Sequence, residues 1–116
     1  MLREMLTGKI HRATVTDAHL EYIGSITVDS YLMDRAGILP GQKVQVVNNN
    51  NGARFTTYTI SGERNSGVIC LNGAAARLAQ KGDRIIIMAF GLLDENEILT
   101  HEAKIVFVDS ENNIVE

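Results

Sequence analysis

Short runs of β-branched residues that alternate with period two, each bounded by a glycine or asparagine turn, constrain this chain more than any other feature. Residues 9–16 set Ile10, Arg12, Thr14 and Thr16 against Lys9, His11, Ala13 and Val15, the pattern of a strand with two unlike faces. Residues 22–28 form a second run, interrupted by Gly24. Pro40-Gly41 is a strong turn signal ahead of the run at 43–47, and Asn48-Asn49-Asn50-Asn51-Gly52 is a tight connection to the run at 54–60, because Asn and Gly tolerate positive φ. Runs at 68–71, 84–90 and 104–108 complete the set. Helix is confined to short pieces at 30–36 and 74–79, and residues 109–116 read as a frayed end. A mainly β single domain spanning 1–116 follows, with no linker dividing it. Residues 41–47 (GQKVQVV) also echo residues 82–88 (GDRIIIM). Such a pair is either a duplicated β unit, a natural seed for a barrel without exposed edges, or chance likeness between two turn-strand segments.

Composition narrows the function. A chain of 116 residues has room for one core, so a dinucleotide fold with a substrate domain, a kinase or a pyridoxal-phosphate enzyme is excluded by size. Eleven Lys+Arg against fourteen Asp+Glu leave a net charge of −3, with Asp94, Glu95 and Glu97 the densest like-charge cluster. Nucleic-acid binding wants a basic stripe instead. No apolar run approaches the roughly 18–20 residues of a membrane span, and the first residues lack the apolar stretch of a secretory signal. The one cysteine, Cys70, has no internal disulfide partner and suits a reducing cytoplasm; it reads as a buried strand residue rather than a nucleophile. His11, His19 and His101 are scattered without a carboxylate pair at ligand spacing, and neither a nucleophile elbow nor a glycine-rich phosphate loop is present.

Gly24-Ser25 carries more. Alone, a Gly-Ser pair between strand halves is a bend. Here Tyr22-Ile23-Gly24-Ser25-Ile26 follows Lys9-Ile10-His11-Arg12 and precedes Arg54-Phe55-Thr56-Thr57-Tyr58 and Asn72-Gly73-Ala74-Ala75-Ala76. In that order and spacing the blocks resemble the bacterial pyruvoyl-dependent aspartate 1-decarboxylase family over residues 1 to about 110. The resemblance implies a double-psi β-barrel with short helices, assembled as a homotetramer with sites between neighbouring subunits. It implies decarboxylation of L-aspartate to β-alanine and CO2, feeding pantothenate biosynthesis. The cofactor would be a pyruvoyl group made from Ser25, with no metal and no pyridoxal phosphate. Decarboxylation leaves a carbanion that needs an electron sink, which side chains do not supply and a cofactor ordinarily does. A small chain can make that sink from itself. In the family a serine hydroxyl attacks the preceding carbonyl, and elimination and hydrolysis then cut the chain, which here gives fragments 1–24 and 25–116. Whether a partner protein assists this maturation stays open.

The resemblance also assigns roles. Ser25 becomes the pyruvoyl group that forms a Schiff base with the substrate amine. Gly24, Ser25 and Thr57 take part in processing, glycine clearing the attack path and easing an unusual backbone geometry, with Thr57 a donor to the carbonyl oxygen. Tyr58 is the proton donor. Arg54, with a planar fork for carboxylate, and Lys9, a point charge, bind the two acidic groups of the substrate together with Thr57. Asn72 lies near Ser25, and the backbone of Gly73, Ala74 and Ala75 contacts substrate at what reads from the residues alone as a turn entering a helix. His11 and Tyr22 line the same region. Lys43 and Arg84 are given no role. Ile26, Val47 and a short C-terminus depart from the pattern of some members. A narrower likeness, residues 25–44 with their strand, short helix and Pro-Gly turn, is to swapped-hairpin DNA-binding barrels. It leaves 54–58 and 72–76 unexplained. An unprocessed barrel used as a binding module is a third alternative.

Overall fold

The alternating runs become strands whose buried positions recur every second residue. The computed structural model describes residues 1–116. In chain order the elements are β1 (Arg3–Thr14), β2 (Asp17–His19), β3 (Ser25–Asp29), α1 (Ser30–Ala36), β4 (Lys43–Asn48), β5 (Arg54–Gly62), β6 (Ile69–Asn72), a 3-10 turn (Gly73–Arg77), β7 (Arg84–Leu93), α2 (Glu95–Thr100) and β8 (Lys104–Phe107). In β4, Val44 and Val46 are buried while Lys43 and Gln45 face outward; in β7, Ile85, Ile87 and Ala89 are buried. These side chains join Ile10, Val28, Leu32 and Leu71 in one core. Each large aliphatic group contributes about 1.5–3 kcal/mol by leaving water. No helix is long and apolar enough to cross a membrane.

Strand order is β2-β6-β3-β5-β4-β7-β1-β8, a mainly β, double-psi β-barrel-like domain in which no ladder joins the end strands. Chain continuity does what a ladder does not. β1 pairs antiparallel with β7 up to Thr14; one step on, the Thr16 amide donates to the Ile69 carbonyl at 2.7 Å, and β2 runs parallel to β6. One bent segment therefore spans both sides of the sheet.

The echo between residues 41–47 and 82–88 is structural. Gly41 (φ 80) and Gly82 (φ 93) both take a left-handed conformation open to glycine at no steric cost. The Gly41 amide donates to the Thr59 carbonyl and the Thr59 amide to the Gln42 carbonyl (2.8 and 3.1 Å); likewise Gly82 to Val15 and Val15 to Asp83 (both 2.8 Å). β4 and β7 then pair with each other, antiparallel. Two copies of one turn-strand unit thus form the centre of the fold.

Several expectations need correction. β1 starts at Arg3 rather than Lys9, and β2 and α2 have no counterpart in the predicted set. The helix expected at 74–79 is a 3-10 turn over Gly73–Arg77. Residues 109–116 are not frayed: Val108 bridges to Ile114, and buried Asn112 bonds to Thr14 and Gly67. β3 begins at Ser25, not Tyr22, for a topological reason. β2 and β3 flank β6 on either side, so the segment between them must cross the end of β6, two strand spacings or about 10 Å. Residues 20–24 make that crossing.

Candidate active site around Ser25

The crossing places the Gly24-Ser25 peptide bond over the end of β6, where Asn72 and Gly73 lie. Ser25 pairs with Asn72 and Thr27 with Cys70 in the antiparallel register of β3 and β6. Ile26, Val28, Ile69 and Leu71 point into the core, so the alternation puts Ser25, Thr27, Cys70 and Asn72 together on the outer face. In parallel β2, Asp17 and His19 sit level with Cys70 and Asn72. An open cleft of about 640 Å³ is bounded by Ser25, Thr27, Cys70, Asn72, His19 and Tyr22, among others.

Ser25 is fully buried although Tyr22 and Ile23 beside it are 62% and 84% exposed. Its Oγ accepts a hydrogen bond from Asn72 Nδ2 at 3.0 Å and donates to the Ile23 carbonyl at 3.2 Å. The same Nδ2 donates to Thr27 Oγ1 at 3.0 Å, and the Cys70 thiol donates to Asn72 Oδ1 at 3.4 Å. Asn72 stands at the N-cap position of the 3-10 turn yet makes no capping bond with its side chain. A capping residue would use that oxygen locally; here the amide is committed to Ser25.

Gly73 closes the site from below. It has φ 70, and a Cβ there would lie 2.6 Å from Gly24 Cα, 2.7 Å from the Gly24 nitrogen and 2.9 Å from the Tyr22 carbonyl oxygen. Only a glycine allows the turn and the crossing segment to approach this closely. Gly24, by contrast, has no positive φ, and a Cβ on it would meet nothing nearer than the Asn72 carbonyl oxygen at 3.9 Å. The expected conformational need for glycine at position 24 is therefore absent, and falls on Gly73 instead.

The other predicted residues divide into two groups. Tyr58 precedes Thr59 as Ser25 precedes Ile26, and Thr59 and Ile26 are partners in the parallel ladder of β5 and β3; Tyr58 thus stands level with Ser25 on the outer face. Tyr22 lines the cleft with its ring 4.6 Å from that of His19. Thr57 falls on the opposite face of β5 from Tyr58, paired with core residue Val44, and the groups that hold Ser25 Oγ are Asn72 and Ile23. Ala74 and Ala75 follow Gly73 in the 3-10 turn. Arg54 lies four residues back from Tyr58, about 13 Å along the strand, with its guanidinium donating to Gln45 Oε1 at 2.7 Å. Lys9 is on β1 beside Met88, and His11 on the same strand packs edge-on against Phe107 at 5.5 Å. No lysine or arginine lines the Ser25 cleft. Arg84 is occupied with the Arg12 carbonyl at 2.9 Å.

Burial, and secondarily the charge of Asp17, push the Cys70 thiol above its ordinary range, while burial and then the cations Lys9, Arg12 and Arg84 push His11 down. Cys70 is thus a buried, protonated strand residue, as expected from sequence. Its bond to Asn72, and the place of Thr27 beside it, were not. Both lie two residues from Asn72 or Ser25, so period-two spacing contains them once the register of β3 and β6 is known.

Comparison with known proteins identifies the family. Residues 1–115 match the sequence model of the aspartate decarboxylase family. A protein of Neisseria meningitidis serogroup C named aspartate 1-decarboxylase is 67% identical over 114 residues, covering 98% of this chain and 90% of its own. One of the same name from Caldicellulosiruptor saccharolyticus is 66% identical, covering 99% of this chain and 90% of its own. Another from Syntrophomonas wolfei is 61% identical over 100% of this chain and 98% of its own.

Proposed function

The chain belongs to the aspartate decarboxylase family, and from that premise we propose that it cuts its own backbone between Gly24 and Ser25 and thereafter decarboxylates L-aspartate to β-alanine and CO2. The observation that carries this reading is a buried serine hydroxyl, held by a side-chain amide at 3.0 Å, at a peptide bond pressed against a glycine that no other residue could replace. A buried serine serving structure alone would not need Asn72 to forgo its capping position.

Cleavage balances with one water in and one ammonia out. Ser25 Oγ attacks the Gly24 carbonyl carbon, the C–N bond breaks, and the amide becomes an ester with a free Ser25 amine. The Cα proton of Ser25 is then lost to water and the Cβ–Oγ electron pair leaves with the Gly24 carboxylate, creating a double bond within residue 25. Water replaces the amine nitrogen, which departs as ammonia, so that fragment 25–116 begins with a ketone and fragment 1–24 ends in a carboxylate. The Asn72 N–H on Oγ stabilises charge as that oxygen departs, the service a hydrogen-bond donor renders at any developing anion.

A ketone at this position supplies the electron sink that decarboxylation requires. The surrounding residues do the rest. The cleft has room for a small dicarboxylic acid, and the backbone of Gly73, Ala74 and Ala75, which follows Asn72 at the edge of the cleft, would contact it. Tyr58, level with Ser25, returns a proton to the carbon that lost its carboxylate. Arg54 and Lys9 hold the two carboxylates, each charged hydrogen bond contributing about 1.5–3 kcal/mol. Neither cation lines the Ser25 cleft of its own chain, and an anionic substrate needs one. The cations therefore come from a neighbouring copy, which supports a homotetramer with sites between subunits. That assembly also retains the fragment of residues 1–24, most of which is β1 and β2. A lone protonated cysteine suits a reducing cytoplasm, and β-alanine feeds pantothenate synthesis.

Denaturing mass spectrometry of the purified protein tests the reading. The expected result is two fragments, the larger lighter by one ammonia than hydrolysis at Ser25 would leave it, and a single intact, inactive chain for Ser25→Ala. An uncut wild-type chain that decarboxylates aspartate would overturn it.

A further inference from the structure

Asn72 can present either end of its amide to Ser25, and most of its neighbours do not decide which. Ser25 Oγ and Thr27 Oγ1 both lie 3.0 Å from Nδ2, but a hydroxyl gives and accepts hydrogen bonds equally. Turned by half a rotation, the amide would offer its oxygen to those two groups; Thr27 would simply donate instead, and Ser25 would do so by giving up its bond to the Ile23 carbonyl. The third neighbour is different. The Cys70 thiol is 3.4 Å from Oδ1, its only other acceptor is the Leu71 carbonyl at 3.9 Å, and burial beside Asp17 keeps it protonated. A thiol is a weak donor and a weak acceptor, so what decides is where its proton can go. Facing Nδ2 it would have only the distant Leu71 carbonyl for its proton, in a site where Cys70 is 7% exposed.

We infer that Cys70 is a positioning residue for chain cleavage: by donating to Asn72 Oδ1 it holds the amide with Nδ2 on Ser25 Oγ. The inference rests on the cleavage reading above and adds to it a residue that never touches the scissile bond. Its effect falls on elimination. When the Cβ–Oγ bond breaks, the electron pair stays on Oγ, which leaves as part of the Gly24 carboxylate. With Nδ2 in place that oxygen is met by an N–H donor; with the amide turned it is met by a carbonyl oxygen, which repels it. The register that pairs Cys70 with Thr27 and Asn72 with Ser25 puts all four groups on one face, so no other element need move to make the chain of contacts.

The test follows the rate at which newly made chain is cut, by denaturing mass spectrometry, in wild type, Cys70→Ser, Cys70→Ala and Cys70→Val. A serine hydroxyl at position 70 has a proton with the same need of Asn72 Oδ1, the Leu71 carbonyl being the more distant acceptor, whereas alanine and valine remove it, valine keeping most of the volume. Loss of a modest neutral hydrogen bond corresponds to cutting slowed about 3- to 10-fold in the alanine and valine variants, with the serine variant near the wild-type rate. Decarboxylation per cut chain gives no such discrimination, because Asn72 also borders the substrate. If alanine and valine variants are cut as fast as wild type, or if serine is as slow as alanine, the proposal fails, since the second result would mean that sulfur packing and not donation matters. If the alanine variant does not fold, the valine variant decides. A wild-type chain that is never cut would instead bring down the cleavage reading itself, so the two failures are distinct.

Discussion

At the scale of single residues the informative contrast is between two glycines. Gly24 carries the carbonyl at which cleavage is proposed, yet the space around it is open enough for a methyl group, whereas Gly73 sits under three backbone atoms closer than any Cβ tolerates and at φ 70. The demand for glycine falls not on the bond proposed to break but on the surface it rests on. Gly73→Ala must therefore displace the crossing segment, since Gly24 and Tyr22 meet it with backbone rather than with a side chain that could swing away. Forcing a left-handed conformation on alanine adds about 1–3 kcal/mol of backbone strain. We expect Gly73→Ala to fold with lower resistance to urea and to be cut at least about 10-fold more slowly, a barrier rise of only about 1.4 kcal/mol. Gly24→Ala should fold with wild-type stability. A time course of cutting and a urea titration check both, and a Gly73→Ala chain cut at the wild-type rate would show that the close approach has no part in processing.

At the scale of elements, what was legible depended on whether the signal was local. Strands β4, β5 and β7 follow from period-two alternation because one face of each meets a core. α2 has no such face: none of its residues is buried and Leu99 is 81% exposed. What holds it is its start, where the Asp94 side chain accepts from the Glu97 amide at 2.8 Å and Glu97 accepts from the Asp94 amide at 3.0 Å. The acid cluster that reads as bare negative charge is thus a reciprocal helix cap, and its three-residue spacing was in the sequence. The C-terminal turn carries no comparable sign. Asn112 accepts from the Thr14 amide at 2.7 Å and donates to the Thr14 and Gly67 carbonyls at 2.8 Å, partners far along the chain. In the site, the same division holds: Gly24-Ser25 and Asn72-Gly73 stand out as motifs, but Cys70 acquires meaning only from strand register. These differences rank two substitutions. Asp94→Ala should cost about 1 kcal/mol, the usual loss for a helix cap. Asn112→Ala strands buried backbone groups and should cost about 3 kcal/mol, at the upper end for an unsatisfied buried polar group. Equilibrium urea unfolding measures both, and equal losses would mean that the terminal turn does not anchor β1.

At the scale of the whole molecule, the outer face of the sheet separates the groups that the proposed chemistry needs together. Ser25, Asn72 and Tyr58 lie where β3, β5 and β6 meet, while Arg54 is bound to Gln45 farther down β5 and Lys9 sits across the sheet on β1. The cleft itself contains Glu21 and no basic lysine or arginine, a poor host for a dianion unless a neighbour supplies the charge. If a second copy does so, two defects on different chains should repair each other. Ser25→Ala removes the proposed electron sink and keeps Arg54; Arg54→Ala keeps the sink and removes the proposed carboxylate contact, which should lower turnover about 10²-fold or more at low aspartate. Neither variant alone should decarboxylate appreciably. Co-expressed in equal amounts and mixed at random in a closed symmetric assembly, one site in four receives an intact Ser25 from one chain and an intact Arg54 from its neighbour, so activity should recover to about a quarter of wild type. Were both residues to act from the same chain, no pairing could restore a complete site, and the mixture would be as inactive as its parents.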